Sequence, residues 1–259
     1  MEGKCDFFKL LIFALLGVVA LSSCAELRLP EKKIKTSAWE DRTSFVVKSS
    51  NDWDIVYNSD WVWTGGKTVD ENGTATVSIR ILKNHSFNSR VGIIKIRSNQ
   101  KYYIIKVCQE GVRMKRESGD LGLSVEWDTC NLGAAKSNEA GNLYKWDEIH
   151  DYENNGYRLP TKDEQDELLT NCICVAGEKN GTYGEWLIAK NGNAIFFPTT
   201  GDLYKSKITG VDSCGCYWSS SKSRIFMYAL TFRKNDYSHT HLTGFSYEHG
   251  FAVRLVRKK

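Results

Sequence analysis

The sequence predicts a mostly β protein with an α+β part toward its C-terminus, and three observations carry that prediction. Apolar residues recur with a period of two over several stretches, as in Val77, Ile79 and Ile81 set between Thr76, Ser78 and Arg80. The 259 residues include eight Trp and twelve Tyr but only three Pro, a balance that suits β-rich domains whose cores are filled by aromatics. One stretch alone carries a clear helix start, Arg158-Leu159-Pro160-Thr161-Lys162-Asp163-Glu164. Thr161 is placed to cap the helix, Glu164 to reach back to the cap's backbone N–H, and Pro160 to keep Leu159 extended. The helix expected from Lys162 to about Cys172 puts Gln165, Leu168, Leu169 and Cys172 on one face. That face is short, so the helix needs a sheet around it, and Gln165 on it needs a buried partner or an edge position.

The first 23 residues read as a processing segment. Lys4 and Lys9 precede an apolar run, Leu10 to Leu21, that has signal-peptide length. The run is shorter than the roughly 20 apolar residues of an ordinary membrane span. It ends at Leu21-Ser22-Ser23-Cys24, which resembles the bacterial lipobox and implies a lipid on Cys24. The alternative is an ordinary secretory cleavage nearby that leaves Cys24 a spare thiol. In an exported chain Cys108, Cys130, Cys172, Cys174, Cys214 and Cys216 remain, an even set that permits disulfides. The formal charge of +4 is mild, and Lys and Arg are scattered, so nucleic acid is not expected as a partner.

A polar tether is expected over 24–35, followed by a first domain over 36–112. Ile94 and Ile96 alternate with Lys95 and Arg97, Ser98 to Lys101 supplies a turn, and Tyr103, Ile105 and Val107 return. Asn72-Gly73 marks another turn between strands, and the result is a small β-sandwich. Trp53-Asp54-Ile55, Asp60-Trp61-Val62, Asn84, Arg90 to Ile94 and the closing Val107-Cys108-Gln109-Glu110-Gly111 follow in order. Together these residues resemble the BACON domain over about 43–111. The resemblance implies an immunoglobulin-like fold and a proposed affinity for carbohydrate or mucin, with some members acting as spacers. Trp53 and Trp61 match family positions and are expected in the core. Trp63 would share the face of Trp61 on a regular strand, whereas a bulge between them would expose it as a sugar-stacking platform. The candidate carbohydrate-binding residues are therefore Trp63, Asn58 and Asp60, with Asp54 a further polar neighbour.

Residues 113–119 are charged, end in Gly119 and read as a short exposed linker. Beyond it, Asp120 to Ala134, Gly141 to Glu148, Tyr157 to Thr161, Gly192 to Pro198, Tyr217-Trp218-Ser219-Ser220 and Gly250 to Arg254 follow in order. They resemble the Fibrobacter succinogenes major paralogous domain over 120–259. That likeness implies a C-type-lectin-like fold akin to formylglycine-generating enzymes, with Leu123–Trp127 paired to Phe251–Leu255. The family often carries Cys at the positions of Cys130 and Cys172, which implies a disulfide between them.

No catalytic constellation emerges from the spacing. The formylglycine-generating relatives place reactive cysteines between the Trp segment and the closing strand, and no Cys lies between Trp218 and Gly250. His239 and His241, with His249 nearby, offer a conceivable metal site or a solvated loop. Asp163, Glu164, Asp166 and Glu167 crowd the start of the helix, where the dipole favours acids. The pairs Cys172/Cys174 and Cys214/Cys216 are read as buried thiols or disulfides, with a four-thiolate zinc site as the rival; no metal or cofactor is expected. The Glu-Pro-Asn and Trp-Asn-Asp signatures of calcium-dependent lectins are absent. The expected function is that of a non-catalytic, lipid-anchored envelope protein that binds glycans. Its rival is a structural or adhesion protein with a protein partner, the sandwich serving as spacer.

Overall fold

A computed structural model of the chain describes residues 26–236 and 240–259, so Cys24, the processing segment and His239 lie outside the described residues. The chain is mostly β, as its periodicity predicts. The first half is a sandwich of two sheets built from seven strands: β1 (Lys33–Thr36), β2 (Asp41–Lys48), β3 (Trp53–Asn58), β4 (Val62–Val69), β5 (Thr74–Ile81), β6 (Arg90–Ser98) and β7 (Lys101–Gln109). One sheet runs β1-β7-β6-β3 and the other β2-β5-β4, with β1 parallel to β7. The period-two alternation does what it must. Phe45, Val47, Val62, Val77, Ile79 and Ile81 from one sheet close on Ile94, Ile96, Ile105 and Val107 from the other.

Two expected boundaries are corrected. The tether over 24–35 is part of the fold from Glu26 onward. Leu27 and Leu29 are buried in the sandwich core, Arg28 bridges to Lys48, and β1 pairs along β7. Leu27, Leu29 and Ile34 give this polar-looking segment enough apolar anchors to bury. The linker over 113–119 is exposed from Arg113 to Arg116, as expected, but it is structured. Its Arg116–Glu117 segment is strand β8, parallel to Asn193 and Ala194, and Lys115 N and Ser118 N donate to Gly192 O and Ala194 O. Its backbone groups are satisfied by a neighbouring strand rather than by water.

The second half opens with β9 (Val125–Asn131), β10 (Tyr144–Lys145), the short α1 (Trp146–Ile149), β11 (Glu153–Asn154), β12 (Tyr157–Arg158) and α2 (Lys162–Asn171). Then follow β13 (Cys172–Lys179), β14 (Thr182–Ala189), β15 (Asn193–Pro198), β16 (Asp202–Tyr204), β17 (Lys207–Thr209), β18 (Cys214–Lys222) and β19 (Met227–Arg233). The last strands are β20 (His241–Phe245), β21 (His249–Phe251) and β22 (Arg254–Lys258). Its first and last long strands meet: β9 and β22 are antiparallel, with Trp127 opposite Val256 and Asn131 opposite Arg254. Helix α2 begins as expected, with Glu164 N donating to Thr161 Oγ1 at 3.2 Å and Thr161 N to Glu164 Oε2 at 2.8 Å. Gln165 is buried and its Nε2 finds partners, donating to the carbonyls of Tyr217 and Trp218 at 3.2 Å each, while its Oε1 is buried without one.

The halves are joined by an apolar cluster in which Ala38 and Val112 from the sandwich side meet Ile173, Val175, Ile188 and Ala194, flanked by Trp39 and Trp186. Lys83 Nζ donates to Thr170 O at 2.6 Å and Cys172 O at 3.0 Å, and a ring nitrogen of His85 lies 2.9 Å from Cys174 O. Burial at this seam pushes the Lys83 ammonium below its usual range.

Candidate functional site

The site is set by how β4 begins. Asn58 Nδ2 donates to Val62 O, and Val62 N to Ser59 O at 2.7 Å, which folds residues 59–62 into a tight turn. Trp61 lies within this turn, packs on the sandwich core and stacks under Arg90, whose guanidinium is 4.3 Å from the ring centre. The regular strand starts at Val62, which is fully buried, so Trp63 points to the opposite face and is 50% exposed. No bulge separates the two tryptophans; the irregularity of β4 falls later, between Thr64 and Lys67. The turn thus exposes Trp63 by a different route from the bulge expected. Trp53 and Trp61 are half-buried, packed against the core without being enclosed by it.

Register then builds the surroundings. Trp63 stands opposite Arg80 on β5, and Arg80 opposite Arg42 on β2, so the three side chains form one row across the outer face. Arg80 holds its guanidinium 5.2 Å from the Trp63 ring centre and donates in a fork to Glu40, at 2.8 and 3.0 Å. Those hydrogen bonds lower the Glu40 carboxyl below its usual range. Trp63 Nε1 donates to Asp60 O at 3.0 Å, which fixes the indole plane. Along the strands the next row is Ser44 opposite Ser78, and Ser78 Oγ donates to Gly66 O at 3.2 Å. A Cβ on Gly65 would lie 2.7 Å from Ser78 Oγ, so glycine keeps this floor open. Arg42, Ser44, Trp63, Gly65, Ser78 and Arg80 line a shallow depression of about 540 Å³.

Of the residues the sequence nominated, Trp63 lies in this depression. Asn58 spends its amide on the turn, and Asp60 contributes its carbonyl to the indole, so both position Trp63. Arg80, Arg42 and Ser78 were not nominated. Their signal was present, since Ser78 and Arg80 are the polar alternates of the Val77/Ile79/Ile81 strand, but only the pairing register places them beside Trp63.

In the second half several of the candidate chemical groups are engaged within the fold. Glu164 forks onto Arg158 at 2.6 and 2.8 Å, and Glu167 accepts from Ser124 N at 3.0 Å, which accounts for half of the acidic cluster at α2. A ring nitrogen of His249 lies 2.9 Å from Asp202, and His241 approaches Thr231 Oγ1 at 3.5 Å. Among the described residues no three His, Cys, Asp or Glu are grouped to hold a metal ion. The two Cys-x-Cys pairs belong to separate buried clusters, Cys172 and Cys174 in one and Cys214 and Cys216 in another. Burial pushes the Cys172 and Cys174 thiols up to about 12, whereas a hydrogen bond from Cys216 lowers Cys214.

The implied bridge between Cys130 and Cys172 is corrected: both are free thiols. Cys130 lines a surface depression with Lys136 and Lys179, while Cys172 opens β13 inside the core, so the two side chains serve different environments.

Neither a family model nor a curated protein matches the chain. Solved structures are similar only at a distance. A Bacteroides ovatus GH5 xyloglucanase in complex with a heptasaccharide is 13% identical with a TM-score of 0.30, over 45% of this chain and 30% of that one. A Bacteroides thetaiotaomicron protein is 12% identical with a TM-score of 0.25, over 34% of this chain and 89% of that one. The N-terminal eight immunoglobulin domains of Down Syndrome Cell Adhesion Molecule give 9% identity and a TM-score of 0.25, over 89% and 37%. The chain spans less than a third of the xyloglucanase's length. At these scores the neighbours carry no functional argument.

Proposed function

We propose that this protein is a non-catalytic binding module of the bacterial envelope, exported and lipid-anchored through Cys24, that recognises glycans through the outer face of β2-β5-β4. The observation that supports this is Trp63: a half-exposed indole held in a fixed plane, beside Arg80 and above Ser78 and Ser44. A pyranose ring stacks its C–H face on an indole, and its hydroxyls need donors and acceptors alongside. Here Arg42 and Arg80 supply donors, while Glu40 and the serine hydroxyls supply acceptors. Both family resemblances belong to this proposal, BACON for the sandwich and the Fibrobacter succinogenes major, lectin-like domain for the second half. The pairing of β9 with β22 supports the latter.

The rival reading, an adhesion or structural protein in which the sandwich is a spacer, is favoured by one feature. The apolar seam and the Lys83 and His85 bonds join the halves as a stiff unit. A glycan array with the chain from Glu26 to Lys259 separates the two. We expect binding to mucin glycans or a plant or microbial polysaccharide that is lost in Trp63→Ala and weakened in Arg80→Ala. An array without signal, or signal that survives Trp63→Ala, would remove the Trp63 site.

A further inference from the structure

The outer face of the other sheet, β1-β7-β6-β3, has a composition that the sandwich does not need. We propose that it is a docking surface for an anionic lipid bilayer. Register assembles it from residues that look scattered in the sequence. Asp54, Arg97 and Tyr102 form one row, Tyr57, Lys95 and Ile104 the next, then Ile93, Lys106 and Lys33, then Val91, Cys108 and Lys35. Four strands and four rows make a flat patch of about 15 by 20 Å. Its five cations, Lys33, Lys35, Lys95, Arg97 and Lys106, face one carboxylate, Asp54, which lies 3.8 Å from Arg97.

The apolar content of the patch selects the partner. Val91 is 66% exposed, Tyr102 56%, Tyr57 50% and Ile104 45%, all within the array of cations. Water-facing sheet surfaces normally carry polar alternates at such positions. Within the four rows hydrogen bonding falls to the cations, two phenols and Asp54, so what sets this face apart from an ordinary polyanion site is the exposed apolar share among them. A bilayer interface takes both parts. Lysines meet anionic headgroups while tyrosine rings and short aliphatic side chains enter the headgroup–acyl boundary.

The path of the chain points the same way. Glu26 is tied to Lys101 at 3.0 Å, beside the β6–β7 turn that borders the Arg97–Tyr102 row. Cys24, the proposed point of lipid attachment, precedes Glu26 by two residues, so the anchor would join the fold at the rim of this patch. The sheets of a sandwich pack face to face, so a bilayer under β1-β7-β6-β3 leaves the Trp63 depression facing away from it.

Flotation with vesicles tests the proposal without the lipid anchor. The chain from Glu26 to Lys259 serves, because every buried cluster draws on residues from Leu27 onward. It should float with phosphatidylcholine vesicles that contain phosphatidylglycerol, stay behind with phosphatidylcholine alone, and be released by salt. Each cation removed should weaken partitioning about fivefold, so Lys95→Gln with Lys106→Gln should bind about 25-fold more weakly. Lys207→Gln, in the second half, and Trp63→Ala should float like the parent. No flotation with anionic vesicles overturns the proposal, as does a double variant that floats like the parent. Binding to heparin or DNA without binding to vesicles overturns it too, and reassigns the face to a soluble polyanion.

Discussion

Arg254 offers the sharpest test of how the second half is held together. It is fully buried on β22, and its guanidinium reaches three acceptors on two other strands. Nε donates to Asn131 Oδ1 at 2.9 Å, Nη2 to Phe196 O at 2.9 Å and Nη1 to Asp128 O at 3.3 Å, while the group lies 4.5 Å from the centre of the Phe197 ring. None of the three acceptors is a carboxylate, so the charge is held by dipoles, and burial pushes its pKa below the usual guanidinium value. Arg254→Met keeps the length and removes both charge and donors. Asn131 and Phe196 are themselves buried, so two acceptors are stranded at about 1–3 kcal/mol each, and the lost ring contact adds to this. Against that stands relief from desolvating a guanidinium, which in proteins amounts to several kcal/mol. Because the acceptors are fixed by β9 and β15 and cannot turn to water, we expect stranding to win, by a net of about 1–2 kcal/mol. Urea unfolding followed by tryptophan fluorescence should show a lower midpoint at unchanged slope. Arg254→Lys keeps the charge but lacks the fork that spans two strands, and should lose at least as much. An Arg254→Met protein as stable as the parent would show that the buried charge is a net cost, and would refute this reasoning.

Two further outcomes follow from the ionisable groups. At the start of α2, burial raises the Glu164 pKa, but the Arg158 hydrogen bonds and the Thr161 N–H together outweigh it and leave it lowered. A depressed carboxylate stabilises the fold above its unfolded value, near 4.5, and that contribution is lost as pH falls through the folded value. Urea titrations across acid pH should therefore show a loss of stability below about pH 4.5 that is smaller in Arg158→Gln. Thiol counting on the chain from Glu26 should find six free thiols in denaturant without reductant. Under native conditions iodoacetamide should reach the half-buried Cys108 and Cys130 before Cys172 and Cys174, which burial keeps protonated. A count of four thiols in denaturant without reductant would restore a disulfide.

What the sequence made legible follows from how local each signal is. The cap at Thr161 and the alternating strands β5 to β7 depend on neighbours within a few residues, and both form as read. The tether and the linker looked exposed because they are polar. Their ordering depends on strands far along the chain, β7 for Ile34 and β15 for Arg116–Glu117, which no local pattern announces. Trp63 shows the same division. The Trp61-Val62-Trp63 spacing suggested a shared face on a regular strand, but a turn held by Asn58 starts the strand one residue later and separates them. The arginine row beside Trp63 is a product of register, so the sequence could name the ring without naming its partners.

Register also decides how the charge is distributed. A formal +4 spread over 259 residues excluded little, and the scatter of Lys and Arg argued against a basic patch. Pairing reverses that inference for one face. Lys33, Lys35, Lys95, Arg97 and Lys106 come from segments more than 50 residues apart at the extremes, yet alternation turns every one of them outward on a single sheet. On the opposite sheet the same alternation turns Arg42, Arg80 and Trp63 outward, where Glu40 neutralises one cation and glycines open the floor. The two faces of one sandwich thus differ in charge, hydration and relief. A spacer that only fills distance needs no such asymmetry. A module that must lie on one surface and present a ring to another does, and the asymmetry predicts that losing either face leaves the other's binding intact.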